Sequence, residues 1–229
     1  INKLRNQVRE YANSKANGET GFYSMTLPTG MGKTLASISW ALNHAKYNFL
    51  LRIIIVLTYL SIIDQTASEL KRILGEEWVL EHHSNFIEDK EANDKVDDET
   101  TTTIEYTKKL STENWDYPIV VTTSVQFFES LFSNKSSRCR KLHNIANSII
   151  IFDEIQTLPK ELVIPTLSML KNVYTIMNTS FLFCTATQPA FGKTKKFNGI
   201  ENIKPLVENP QELFAATKRV KYIDVDHYN

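Results

Sequence analysis

Leu27-Pro28-Thr29-Gly30-Met31-Gly32-Lys33-Thr34 decides how this chain is read, and Ile151-Phe152-Asp153-Glu154 completes it. The first stretch has the makings of a turn that wraps phosphates. Gly30 and Gly32 let the backbone approach closely with its N–H groups inward, and a helix opening at Lys33 adds its N-terminal dipole. The usual spacing has a further glycine where Leu27 stands, so the strict signature is missed at one position. Lys33 is expected on the β- and γ-phosphates and Thr34 on Mg2+. The second stretch is an apolar strand ending in two carboxylates. Burying such groups unpaired is costly, so they belong at a crevice with a cation or polar partners. Asp153 is the expected second Mg2+ ligand, and Glu154 the general base for an in-line water. Together the two stretches imply hydrolysis of a nucleoside triphosphate, with ATP and Mg2+ as the cofactors.

Working outward, strands and helices alternate. A leading amphipathic helix is expected over 2–16, with Leu4, Val8, Tyr11 and Ala12 on one face. Strands are expected at Phe22–Leu27, Arg52–Thr58, Trp78–Glu81, Ile119–Thr122, Ser148–Phe152 and Phe181–Thr185. Helices fall at Lys33–Tyr47, Ser61–Leu74, Val125–Leu131 and about Pro165–Val173. Several strands are apolar throughout, which predicts a mainly parallel sheet covered by helices on both faces. Ligands then bind outside the C-terminal strand ends, where both motifs lie.

Residues 88–99 hold seven acidic side chains against Lys90 and Lys95, and four threonines follow. The segment from about 86 to 116 therefore reads as a solvated insertion with a short helix near Tyr106–Leu110. The net charge is zero and 42% of residues are apolar, so composition favours neither nucleic acid nor membrane. The apolar run Leu50–Leu57 is too short to cross a bilayer, and nothing at the start resembles a signal peptide. Cys139 and Cys184 are the only cysteines, which fits a reducing, cytoplasmic setting.

Four smaller features keep two readings each. Thr185-Ala186-Thr187 ends an apolar strand, either as a plain threonine turn or as a sensor relaying nucleotide state from the acid pair. Thr122-Thr123-Ser124 either caps the next helix or holds a backbone phosphate. His82-His83 lacks metal-ligand spacing and reads as local structure rather than a metal site. Lys193, Lys195 and Lys196 are a solvated loop or a strand contact.

Asp153-Glu154-Ile155-Gln156 after Pro28-Thr29-Gly30-Met31-Gly32-Lys33-Thr34 resembles the first motor domain of superfamily-two helicases. Gln156 stands where many of them have Asp or His. The wider pattern resembles the helicase–nucleases of type I CRISPR systems. It takes in Leu4 and Arg5, Phe22–Leu42, Leu57–Ala67, His82-His83-Ser84, Trp115–Phe132, Ser137–Ala146, Leu158-Pro159 and Cys184–Ala190.

The resemblance implies a three-layer RecA-like P-loop NTPase fold. It implies a catalytic set of Lys33, Asp153, Glu154 and Gln156, and a strand-tracking set of Thr58, Asp64, Gln65, Thr122, Thr123 and Gln126. Thr185 and Thr187 would couple hydrolysis to movement, and Gln7 would read adenine. It implies ATP-driven 3′-to-5′ movement on single-stranded DNA, recruitment by an RNA-guided surveillance complex, and DNA degradation by a histidine–aspartate nuclease domain in the same or a separate chain. No such nuclease motif occurs here. Residues 1–210 would form the first motor domain, and 211–229 a linker toward a second one that supplies an arginine finger. By itself the piece is then expected to bind nucleotide weakly and hydrolyse it feebly. Two alternatives stay open: another superfamily-two helicase acting on RNA or DNA, or a nucleotide-binding adaptor without catalysis.

Overall fold

Apolar residues alternate sides along each strand, and the two sets they form build two separate cores. In this computed structural model, residues 2–83, 110–135, 139–186, 191–194 and 197–217 are described. The strands are β1 (Phe22–Thr26), β2 (Arg52–Leu57), β3 (Val79–His82), β4 (Ile119–Thr123), β5 (Ser148–Asp153), β6 (Ser180–Thr185) and β7 (Lys204–Pro205). They pair in the order β3-β4-β2-β5-β6-β1-β7, and every pair is parallel. The helices are α1 (Asn2–Ser14), α2 (Lys33–Asn48), α3 (Leu60–Leu74), α4 (Ser124–Phe132), α5 (Leu142–Ile145), α6 (Lys160–Met177) and α7 (Pro210–Ala216).

Ile53, Ile55, Ile149, Ile151, Tyr23, Met25 and Leu182 point to one face and pack beneath α1, α2 and α3. Ile54, Val56, Ile150, Phe152, Phe22, Phe181 and Phe183 point to the other and meet α4, α5 and α6. This is the parallel sheet covered on both faces that the alternating pattern predicts, in the three-layer RecA-like form that the resemblance implies. Burying each isoleucine or phenylalanine contributes roughly 1.5–3 kcal/mol, which a strand covered on both faces collects at nearly every residue. The Cα pairings put the strand ends level. Thr26 lies opposite Thr185, Cys184 opposite Asp153, Phe152 opposite Val56, and Leu57 opposite Thr123.

Several boundaries differ from the sequence reading. The leading helix stops at Ser14 rather than residue 16. Helix α6 begins at Lys160, five residues before Pro165, so this proline lies inside it. Its first turn is exposed at Leu162 and Ile164, which blurs the apolar stripe on which the sequence reading relied. The segment expected to be solvated is folded at its C-terminal edge. Residues 110–114 are helical, Trp115 is fully buried, and Asp116 accepts from Arg52 at 2.6 Å. Residues 86–109 of the insertion and 218–229 of the expected linker lie outside the described residues. The start of that linker belongs to α7 (Pro210–Ala216), and Leu213 packs against the first core. Among the described residues, no helix is long and apolar enough to cross a membrane.

Candidate active site

The phosphate-type loop follows β1 directly. Gly30 and Gly32 both have left-handed backbones (φ 78° and 75°), a conformation that side chains with a Cβ rarely adopt. Gly32 is the residue before helix α2, and its carbonyl accepts the Ala36 N–H at 3.0 Å. The loop is braced from both sides. On the strand side the Leu27 N–H donates to the Thr185 carbonyl at 3.2 Å. On the helix side Arg5 of α1 donates to the Gly30 carbonyl from Nε at 3.1 Å and from Nη2 at 2.5 Å.

The acid turn follows β5 two strands away, with β6 between. The Glu154 N–H donates to the Cys184 carbonyl at 2.9 Å, so the end of β6 holds both the loop and the acids. Glu154 itself has φ 56°, a left-handed conformation costly for a residue with a side chain and common at functional sites. Lys33 Nζ lies 2.5 Å from Glu154 Oε1 and 3.6 Å from Asp153 Oδ1. The other Glu154 oxygen accepts from the Gln156 amide.

Electrostatics sorts the three groups. Burial works to lower the Lys33 pKa, but the Glu154 bond and the two neighbouring carboxylates outweigh it and raise it. Burial also works against an ionised Glu154, yet Lys33, Gln156 and the Ala186 N–H hold its pKa below the ordinary value. Asp153 goes the other way: burial dominates the attraction of Lys33, and Glu154 adds repulsion, so its pKa is raised. Two adjacent carboxylates thus have opposite tendencies, because burial outweighs Lys33 at Asp153 whereas Lys33 and Gln156 outweigh burial at Glu154.

Mg2+ and ATP fit these residues. Asp153 Oδ1 is buried and has no hydrogen-bond partner among the described residues, as suits an oxygen that ligates a cation. Asp153 and the Thr34 hydroxyl would hold Mg2+, with Pro28, Thr29, Gly30, Met31, Gly32 and Lys33 around the phosphates. Bound Mg2+–ATP supplies the γ-phosphoryl group and offsets its charge. Lys33 stands between the loop and both carboxylates, in direct contact with Glu154. A cavity of about 40 Å³ beneath Lys33, Thr34 and Asp153 is closed below by Ile55, Leu57 and Ile151.

The remaining expected residues are spread along the same sheet edge. Thr58 follows β2, and its hydroxyl donates to the Asp153 carbonyl at 3.3 Å. Asp64 and Gln65 are exposed on α3. Asp64 Oδ1 lies 3.4 Å from His83 Nε2, and Glu81 lies 3.3 Å from the same nitrogen. These three could present metal ligands, and Lys71 holds the second Glu81 oxygen at 2.9 Å, tying α3 to β3. His82 is buried edge-on against Trp115, which agrees with a structural part for the histidine pair. Thr123 caps α4 by accepting the Gln126 N–H at 3.0 Å.

Thr122 needs correction as a strand contact: it is fully buried, and its hydroxyl donates to the His82 carbonyl at 2.9 Å. Thr185 is also fully buried, and Thr187, Lys195 and Lys196 lie outside the described residues. Gln7 is exposed, about 200° around α1 from Arg5, so it does not share the face that meets the loop. Sequence reasoning assigned no site role to Arg5. The signal was its register, since Arg5 is exposed but lies three and seven residues before the buried Val8 and Ala12, on the same side of α1.

The family model for DEAD/DEAH box helicases matches residues 12–197, most of the chain. The chain belongs to the DEAD/DEAH box helicase family. Members of this family are ATP-dependent enzymes. A CRISPR-associated nuclease/helicase Cas3 of Haloferax volcanii is 32% identical over 181 residues, covering 72% of this chain and 19% of that protein. The helicase chain thus spans about a fifth of the curated relative. Among solved structures, ADP-bound Cas3 of T. fusca superposes with TM-score 0.60 at 16% identity, over 79% of this chain and 21% of that one. The Hef helicase domain of Pyrococcus furiosus gives 0.58 at 18%, over 93% and 40%. At identities this low the structural likeness shows the shared fold alone.

Proposed function

We propose that this helicase chain is the first motor domain of an ATP-driven, 3′-to-5′ single-stranded DNA translocase acting in type I CRISPR interference. The observation that carries the reading is the joining of Lys33, Asp153 and Glu154 at one sheet edge, in a chain 32% identical to a Cas3 nuclease/helicase. In this reading Lys33 binds phosphate, Thr34 and Asp153 hold Mg2+, and Glu154 activates water with Gln156 orienting it. Thr58, Asp64, Gln65, Thr123 and Gln126 track the strand, and Thr185 and Thr187 relay nucleotide state. Gln7 remains proposed as an adenine contact. A second motor domain completes the ATP site, a histidine–aspartate nuclease domain cuts the strand, and an RNA-guided surveillance complex recruits the assembly.

ATP turnover by the complete polypeptide, with and without single-stranded DNA or RNA, tests this reading. DNA-specific stimulation that is lost in Lys33→Ala supports it. Equal or greater stimulation by RNA makes the chain part of an RNA helicase. No hydrolysis under any condition leaves a nucleotide-binding adaptor.

A further inference from the structure

Thr58 and Thr157 sit between the two halves of this edge. The Thr58 hydroxyl, at the end of β2, reaches the Asp153 carbonyl at 3.3 Å and the Thr157 hydroxyl at 3.2 Å. The Thr157 hydroxyl reaches the Glu154 carbonyl at 2.8 Å. Each hydroxyl has one proton, so two protons serve three contacts and one contact is always without its hydrogen. The pair therefore has alternative arrangements that differ by hydroxyl rotation alone. In one, Thr58 donates to Asp153 and Thr157 to Glu154. In another, Thr58 donates to Thr157, and the Asp153 carbonyl loses its donor.

The Glu154 carbonyl also receives the Thr157 N–H at 3.1 Å, so it can release the Thr157 hydroxyl without being stranded. The turn these bonds hold contains Glu154 at φ 56°, a conformation that persists only while its surroundings enforce it. Thr58 is half-buried, whereas Tyr59 and Leu60 beside it are exposed, so its hydroxyl lies at the surface boundary. β2 is also the strand that separates β5 from β4, whose end carries the Thr123 cap. Thr58 is thus the first residue on the strand-tracking side and a direct neighbour of the acids.

We propose that Thr58 and Thr157 form a hydroxyl relay through which a bound nucleic-acid phosphate repositions the Asp153–Glu154 turn. The inference rests on the motor reading above. A phosphodiester oxygen only accepts hydrogen bonds, so it competes with the Asp153 carbonyl and Thr157 for the single Thr58 proton. Taking that proton removes one of the bonds that hold the acid turn, and the Thr157 hydroxyl is free to turn toward Thr58. The relay thereby has two discrete arrangements whose balance strand binding shifts. Thr157 is a positioning residue: it touches the turn and not the nucleotide.

The test compares Thr157→Val, which keeps the shape and removes the hydroxyl, with Thr157→Ser, which keeps the hydroxyl. ATP turnover of the complete polypeptide is measured with saturating oligo-dT and without it. The expected result is a fall of about tenfold in the ratio of stimulated to unstimulated turnover for valine, with serine retaining the wild-type ratio. Thr58→Val, measured in the same way, is expected to lower the ratio as far, with no further loss in the double variant. A wild-type ratio in Thr157→Val overturns the relay, and so does an equal fall in valine and serine. Wild-type protein that no nucleic acid stimulates overturns the motor reading and the relay with it. Stimulated wild type with an unaffected valine variant overturns the relay alone.

Discussion

Lys33 Nζ is closer to Glu154 Oε1, at 2.5 Å, than to Asp153 Oδ1, at 3.6 Å, so the phosphate-loop lysine is paired with the candidate general base rather than the candidate metal ligand. A base engaged by an ammonium group is a poor proton acceptor, and the γ-phosphate of ATP is the natural competitor for that ammonium. Nucleotide binding would then also release Glu154 for catalysis. This pairing predicts distinct outcomes for the two partners. Glu154→Gln should keep nucleotide affinity within a fewfold range and lower turnover by about 10²-fold or more. Lys33→Ala should lower both, which parallel ATP-binding and single-turnover measurements would separate.

Arg5 should matter for nucleotide binding although it lies outside the loop. Its two bonds to the Gly30 carbonyl fix the outer wall of the phosphate turn. Losing an exposed charged hydrogen bond of this kind is worth about 1 kcal/mol, so Arg5→Ala should raise KM for ATP roughly fivefold with little change in Tm. Arg5→Lys, which cannot make two bonds from one planar group, should fall between. An unchanged KM in both variants would count against the brace.

Stability should fall on mild acidification because of His44. The ring is fully buried, with Nδ1 2.8 Å from the Ala16 carbonyl and Nε2 2.8 Å from the Ser180 hydroxyl. A carbonyl only accepts, so Nδ1 bears the proton and Nε2 accepts from Ser180. Burial lowers the His44 pKa from its ordinary 6.5, Lys204 adds to the lowering, and the Ala16 bond opposes it. The folded protein therefore prefers neutral His44. Its contribution is complete above the unfolded value and is lost as pH falls below it toward the depressed folded pKa. Tm measured between pH 8 and about pH 5 should drop. His44→Gln should start lower and vary less over that range.

Core and surface positions on the same face should separate clearly. Phe183 is buried between Phe22, Phe152 and Phe191, with ring centroids 6.2, 6.0 and 5.6 Å away. Phe183→Ala should destabilise by about 3–5 kcal/mol through the cavity it leaves. Leu162→Ala, at an exposed position of α6, should stay within about 0.5 kcal/mol. Denaturant unfolding of both variants provides the comparison.

Much of the architecture was legible because its signals are short-range. An apolar strand, two glycines, a lysine and a helix are neighbours in the chain, and strands buried on both faces announce themselves by unbroken apolar runs. The reading failed where local pattern and tertiary packing diverge. Pro165 looked like a helix start, yet α6 extends five residues before it, with Val163 packed against the second core. Trp115 stands beside an acidic, threonine-rich segment whose composition predicts solvation, yet it closes the core over Phe127. Thr122 and Thr123 are adjacent, but strand alternation turns one hydroxyl onto a neighbouring carbonyl and the other onto a helix end.

By itself the sequence determined the layers of the fold, the phosphate turn, the acid pair and the family, because each depends on residues close together in the chain. The tertiary structure alone decided which of these meet. Lys33 and Glu154 are 121 residues apart and come within 2.5 Å because β6 lies between β1 and β5. Thr58 and Thr157 meet across 99 residues because β2 lies beside β5. The physical reason is that parallel strands of similar apolar character can pair in many orders. The order adopted depends on how the whole set of crossovers and helices packs, and no stretch of local sequence encodes it.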